Sequence, residues 1–169
     1  DGIRDKRGGL VGSEMCIRDR AEALRSSRLD AEFLEIELTE GTLIEDVEEA
    51  SATLRRLKEM GIKVSIDDFG TGYSSLSHLR RFPIDTLKID RSFIIDVDSN
   101  REDAEIVAAI IAMAHTLNLR VIVEGIETDS QLRVIADKQG DIIQGFLFSR
   151  PLPASDISPL LEKRSLKIA

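Results

Sequence analysis

Cysteine occurs once, at Cys16, so the chain can form neither an intramolecular disulfide nor a cysteine-built metal site, and nothing points to an oxidising compartment. No apolar run approaches the roughly 20 residues of a membrane span, and the first residues lack the apolar core of a signal peptide. Positive charge is in deficit. A formal net charge of -8 argues against a DNA or RNA polymer, or an anionic membrane surface, as partner, because each needs a field of the opposite sign. It leaves room for a small phosphate ligand held through a metal. Internal repeats and low-complexity linkers are absent. What remains is ordinary for a soluble, cytoplasmic globular domain: 169 residues, 42% hydrophobic and 32% charged, are enough for one real core.

Residues 1–20 show no regular periodicity and differ in character from the rest of the chain. They resemble a translated sequencing adapter, the alternative being a natural flexible extension, so the expected division is a non-native extension over 1–20 and a domain over 21–169. From Ala21 the pattern is regular. Ala21 to Ser26 reads as a helical remnant, and Phe33 to Thr39 as a strand with Leu34, Ile36 and Leu38 on one face and Glu35, Glu37 and Thr39 on the other. A long helix comes next, carrying Ile44, Val47, Ser51, Leu54 and Leu57 at helical spacing, with Gly61 as its left-handed stop. Lys63 opens a strand that ends in Asp67 and Asp68, followed by a Gly70/Gly72 loop and a short helix ending near Phe82-Pro83. Thr86 to Ile89 is a strand, and Ser99 with Glu102 predicts a capping box for a helix striped by Val107, Ile110, Ile111, Ala114 and Leu117. Arg120 to Glu124 is the next strand. Thr128 with Gln131 caps a helix that stops at Gly140, Ile142 to Phe148 is the last strand, and a closing helix starts at Ser155, with Pro159 tolerable only in its first turn. Five alternations of strand and helix predict parallel strands with helical crossovers, as in an α/β barrel or an open doubly wound sheet.

Each strand ends in a polar group: Glu37, the pair Asp67 and Asp68, Lys88 with Asp90, Glu124, and Gln144. In parallel α/β folds the carboxyl ends of the strands share the face that carries the active site, so the five ends are expected to converge. Two like charges about 4 Å apart repel by roughly 1 kcal/mol in water and about 4 kcal/mol at an effective dielectric of 20, so several carboxylates need a cation. Lys88 supplies one. The rest is expected from protonation or from divalent ions, and hard oxygen ligands favour magnesium or manganese over zinc. Such a set suits a two-metal displacement at phosphorus, with Lys88 orienting a water or a phosphate oxygen. The two histidines, His78 and His115, fall in predicted helices away from any strand end and read as ordinary positions. Asp68-Phe69-Gly70 spells a kinase tripeptide without the other kinase motifs, and Gly70-Thr71-Gly72 lacks the lysine and spacing of a Walker loop.

Glu37-Leu38-Thr39-Glu40, Asp67 through Leu76, Leu87-Lys88-Ile89-Asp90, Val123 through Glu127, and Gln144-Gly145-Phe146 through Pro151-Leu152-Pro153 resemble the successive motifs of the bacterial EAL-domain cyclic-di-GMP phosphodiesterases. The resemblance covers about Ala21 to Leu161. It implies a TIM-like (β/α) barrel that uses two magnesium or manganese ions to cut cyclic di-GMP to linear pGpG in bacterial second-messenger signalling. By position, Glu37, Asp67, Asp68 and Glu124 would be metal ligands, with Asp67 shared between the ions. Lys88, Glu124 and Gln144 would be catalytic: Lys88 on the nucleophilic water, Glu124 as ligand or base, Gln144 completing the polar shell. Glu40 and Glu127 would hold the loop after Asp68, and Asp90 has no firm role.

The family has two further strands upstream, the first bearing the signature glutamate and the second an asparagine ligand, and this sequence shows neither. Glu22-Ala23-Leu24 spells the signature but sits in a helical context only fifteen residues before Glu37, and reads as coincidence. Phe146 stands where the family has tyrosine. The expectation is therefore an incomplete barrel with five βα units and the first strands missing: the carboxyl-terminal two thirds of a phosphodiesterase, itself inactive as a fragment. The alternative is a non-catalytic EAL-type module that binds cyclic di-GMP or a protein partner. A homodimer is possible in the family, and tethering of a parent protein to a membrane stays open.

Overall fold

The computed structural model describes residues 13–43, 47–72 and 79–162. Five strands, β1 (Glu35–Thr39), β2 (Lys63–Phe69), β3 (Thr86–Ile89), β4 (Arg120–Val123) and β5 (Ile142–Ile143), follow the sheet order β1-β2-β3-β4-β5 and run parallel. The helices are α1 (Ser13–Ser27), α2 (Val47–Glu59), α3 (Arg101–Thr116), α4 (Asp129–Asp137) and α5 (Ala154–Glu162). By contact the chain divides into two compact units. One holds residues 1–88 and 117–119, the other 89–116 and 120–169.

In the first unit, β1 pairs with β2 so that Glu37 stands opposite Ser65 and Thr39 opposite Asp67. Strand β2 buries Val64, Ser65 and Ile66 in succession, as a strand covered on both faces must. Helix α2 lays Ser51, Leu54 and Leu57 of the expected stripe into the core, Val47 is half-buried, and Ile44 lies outside the described residues. Gly61, at φ 85°, takes the left-handed turn that ends α2. Strand β1 begins two residues later than expected, because Ala31–Phe33 form a 3₁₀ turn. Helix α1 extends across the division drawn at residue 20; its only buried apolar side chain among those described is Ile17, which explains why the sequence shows so little periodicity there. The short helix expected before Phe82 falls mainly on residues 73–78, outside the described residues, and so does His78.

In the second unit, α3 buries Val107, Ile111 and Ala114, and β4 pairs with β5 at Ile122↔Ile142 and Val123↔Ile143. Four sequence expectations shift here. The cap of α3 is Asn100, not Ser99: its Oδ1 accepts the Glu102 amide at 2.9 Å while its Nδ2 donates to Asp103 at 2.8 Å, so the amide side chain one residue on satisfies the helix end. Helix α4 does begin with the Thr128–Gln131 capping box, but its left-handed turn falls on Gln139 (φ 65°) rather than Gly140. Strand β5 stops after two residues instead of running to Phe148. Beyond it the chain closes so tightly on the Ile126 segment that a side chain at Gly145 would stand 2.0 Å from the Ile126 carbonyl oxygen, an approach only glycine permits and a ladder does not. In α5, Pro159 lies in the second turn rather than the first, forgoing one backbone bond.

Candidate active site

The polar strand ends of the first unit gather around Lys88. Strand β3 buries all four of its residues, and Lys88 is only 5% exposed although charged. A buried ammonium is tolerated only against compensating charge. Here Nζ lies 2.8 Å from Glu37 Oε1 and 3.0 Å from Asp67 Oδ1. The register explains the meeting: Glu37 and Asp67 occupy neighbouring positions on one face of β1 and β2, and Lys88 comes from the next strand in the sheet. The Glu37 contact is a well-directed hydrogen bond. The Asp67 contact is not: Oδ1 is buried, near enough for an ion pair, yet off any hydrogen-bond direction. Beside it, Ser65 is fully buried with its hydroxyl likewise lacking a hydrogen bond.

Asp68 stands at the turn out of β2. Its φ of 55° is left-handed, its side chain is exposed, and its carbonyl accepts the Thr71 hydroxyl at 2.8 Å. The loop beyond is held by Glu40, 4% exposed, whose Oε2 accepts the amides of Gly70 and Gly72 at 3.2 Å each. A charged acceptor shared by two amides is a strong local constraint.

The second unit presents Glu124, Glu127, Asp90 and Gln144. Asp90 caps a 3₁₀ turn at Arg91–Phe93. The Ser92 hydrogen bond holds its carboxyl below the usual aspartate range, against the opposing effect of burial and with help from the Ser92 and Arg91 amides. Glu124 donates its amide to the Ile89 carbonyl at 3.2 Å. Gly125, at φ 78°, lies under Arg91, whose Cγ would be 2.3 Å from any side chain added there. Arg91 Nη2 then reaches Glu127 Oε1 at 2.8 Å. Gln144 is exposed, pinned by its own backbone to Val123 O at 2.9 Å and to the Ile126 amide at 3.2 Å. These groups border a cavity of about 750 Å³ lined by Arg91, Glu124, Glu127, Gln144 and Phe146 among others, with the Arg150 guanidinium 4.7 Å above the Phe146 ring. Arg91 was not singled out from the sequence; its signal is a basic residue one step past a strand-end aspartate.

Within the first unit the structure thus brings together Glu37, Asp67 and Lys88, with Glu40 fastening the loop after Asp68. Within the second it places Glu124 and Gln144 on one cavity. Among the described residues no three His, Cys, Asp or Glu side chains stand close enough to hold a metal ion. The donor set of Glu37 and Asp67 nonetheless fits a hard divalent cation: both are carboxylates, and Asp67 Oδ1 is a buried oxygen without a hydrogen bond.

The EAL domain family model matches residues 9–151. The chain belongs to the EAL domain family. The EAL chain is 46% identical over 151 residues to the cyclic di-GMP phosphodiesterase NbdA of Pseudomonas aeruginosa, covering 89% of itself and 19% of that protein. It spans about a fifth of the length of that curated relative. The crystal structure of the EAL domain of Mycobacterium smegmatis DcpA superposes with a TM-score of 0.87 at 37% identity, over 93% of this chain and 70% of that one. A manganese and cyclic di-GMP complex of Klebsiella pneumoniae BlrP1 gives a TM-score of 0.76 at 33% identity, over 82% and 35% of the two chains. The five parallel strands and their helices are accordingly those of a TIM-barrel-like EAL domain. Among the described residues no helix is long and apolar enough to cross a membrane.

Proposed function

We propose that this EAL domain serves the hydrolysis of one phosphodiester of cyclic di-GMP to linear pGpG, with magnesium or manganese as cofactor. The observation that carries the reading is Lys88, buried and charged, between Glu37 and Asp67. An ammonium at that depth is costly to bury, and a phosphate or an attacking water beside two carboxylates gives it a chemical use. Glu37, Asp67, Asp68 and Glu124 would hold the ions, which supply an activated water and neutralise the phosphate. Lys88 orients the water or a phosphate oxygen, and Gln144 donates its carboxamide to the ligand. Glu40, through the Gly70 and Gly72 amides, keeps the loop after Asp68 in one shape. Glu127 acts in the second unit through Arg91, and Asp90 through its cap.

The 169-residue chain alone is expected to turn over negligibly, since its sequence shows neither the signature glutamate nor the asparagine ligand of the family's upstream strands. A cytoplasmic location and a homodimer belong to the same proposal, as does the non-native origin of residues 1–20, which an independent clone of the locus tests. The decisive assay uses the full reading frame containing these residues, with cyclic di-GMP and magnesium or manganese. Formation of pGpG that Asp67→Asn abolishes supports the reading. Tight binding without turnover would replace it with the non-catalytic module.

A further inference from the structure

One device occurs twice. In the first unit Asp85 directly precedes β3; its Oδ2 accepts the amide of Val64, the second residue of β2, at 2.9 Å, and its Oδ1 meets Lys58 Nζ at 2.5 Å. In the second unit Asp141 directly precedes β5; its Oδ2 accepts the amide of Val121, the second residue of β4, at 2.8 Å, and meets His115 Nε2 at 3.0 Å. Lys58 and His115 each lie in the last turn of the helix that leads into the strand being clamped, α2 into β2 and α3 into β4. Three residues beyond each aspartate stands a polar strand-end group, Lys88 after Asp85 and Gln144 after Asp141.

The geometry points to Asp85 and Asp141 as positioning residues, each locking the register of the strand it opens and so the place of the group three residues on. This rests on the reading of Lys88 and Gln144 as parts of the reacting site. A one-residue slip turns every side chain of a strand to the opposite face, so register decides whether such a group reaches the site at all. For β3 the alternation of Thr86 and Lys88 with Leu87 and Ile89 already helps to specify register. Strand β5 has no such help. Its two residues, Ile142 and Ile143, are identical, and a slip by one leaves their pattern unchanged. What distinguishes the registers must lie at the ends: the Asp141 carboxylate on the Val121 amide at one, and the Gly145 approach to Ile126 at the other. His115 and Lys58 hold the two carboxylates from the helix side, so that the clamp joins helix, strand and next strand.

The test uses the full reading frame, labelled with ¹⁵N-glutamine, and compares Asp141→Ala, Asp141→Asn, His115→Gln, Gln144→Ala and the Asp141→Ala/Gln144→Ala pair. Asp141→Ala is expected to displace the Gln144 carboxamide resonance and to lower kcat about tenfold with a much smaller change in KM. Asp141→Asn, which keeps an oxygen for the Val121 amide, should restore most of both. The double variant should lose no more than Gln144→Ala alone, since the aspartate acts through the glutamine. Additive losses, or a Gln144 resonance unmoved in Asp141→Ala, would overturn the inference. Where Asp141→Ala does not fold, His115→Gln carries the same comparison, with a smaller displacement supporting the inference and none opposing it. If the wild type binds cyclic di-GMP without hydrolysing it, the functional reading fails while the carboxamide resonance still decides this one.

Discussion

The two units solve the same problem by different means. In the first, β1 and β2 pair over five residues, and the side chains of that ladder bring Glu37 and Asp67 to Lys88. In the second, β4 and β5 pair over two, and Gln144 is placed by backbone bonds to Val123 and Ile126, by the absence of a side chain at Gly145, and by the Asp141 tether. Long strands carry their register in side-chain alternation. Short ones must carry it at their ends, where single atoms decide it.

The comparison breaks first at the charges. In the full reading frame, Lys88→Met or Asp67→Asn is expected to cut hydrolysis of cyclic di-GMP by at least about a hundredfold, because on the proposed reading the first removes the group that orients the water or a phosphate oxygen and the second a ligand of the ions. A pGpG assay under saturating magnesium reads the effect, and near-normal turnover in either variant would separate the Lys88 cluster from the chemistry.

Next in size is the backbone approach in the second unit. Gly145→Ala places a methyl group 2.0 Å from the rigid Ile126 carbonyl, and a loss of about 2–3 kcal/mol in a urea titration is expected. Gly140→Ala meets first the Cγ2 methyl of Ile135, at 2.6 Å, a side-chain atom rather than backbone, and should cost less. Equal losses would mean that the chain beyond β5 is not held by that approach. A smaller effect, about 1 kcal/mol, is expected for Thr128→Ala, which removes the side-chain acceptor for the Gln131 amide at the start of α4.

The smallest effect comes from acid. Burial alone would raise the Asp141 carboxyl, but the Val121 amide, the His115 ring and the Arg120 charge outweigh it and hold the group below the aspartate value of 3.8. A carboxyl lowered on folding contributes stability that is present above the unfolded value and lost as pH falls through the folded one. The stability difference between wild type and Asp141→Asn should therefore be flat near neutrality and shrink only below about pH 4. A difference that already fades between about pH 7 and 5 would assign the clamp to another group.

Much of the order was legible because it rests on local chemistry. Thr128 with Gln131 reads as a capping box and forms one, Gly61 reads as a left-handed stop and takes that φ, and the α2 stripe faces inward where its spacing says. Where two neighbours compete for one task, local reading falters. Ser99 and Asn100 can each cap α3, and Asn100 accepts the helix amide; Gln139 and Gly140 can each end α4, and Gln139 takes the left-handed turn. Of the candidate site, the types of the strand-end residues were visible, but not the partners: that Arg91 covers Gly125 and pairs with Glu127 depends on residues 34 and 36 positions apart in the sequence.

By itself the sequence determined the alternation of strand and helix, the polar ends of the strands and the family, because each is a matter of residue type at short spacing. Only the tertiary structure decided that the Lys88 ammonium is buried between Glu37 and Asp67, that β5 is two residues long, and that Asp85 and Asp141 each tie a helix end to a neighbouring strand. Those features join atoms 20 or more residues apart, and burial and register, which set them, belong to the packed chain rather than to any stretch of it.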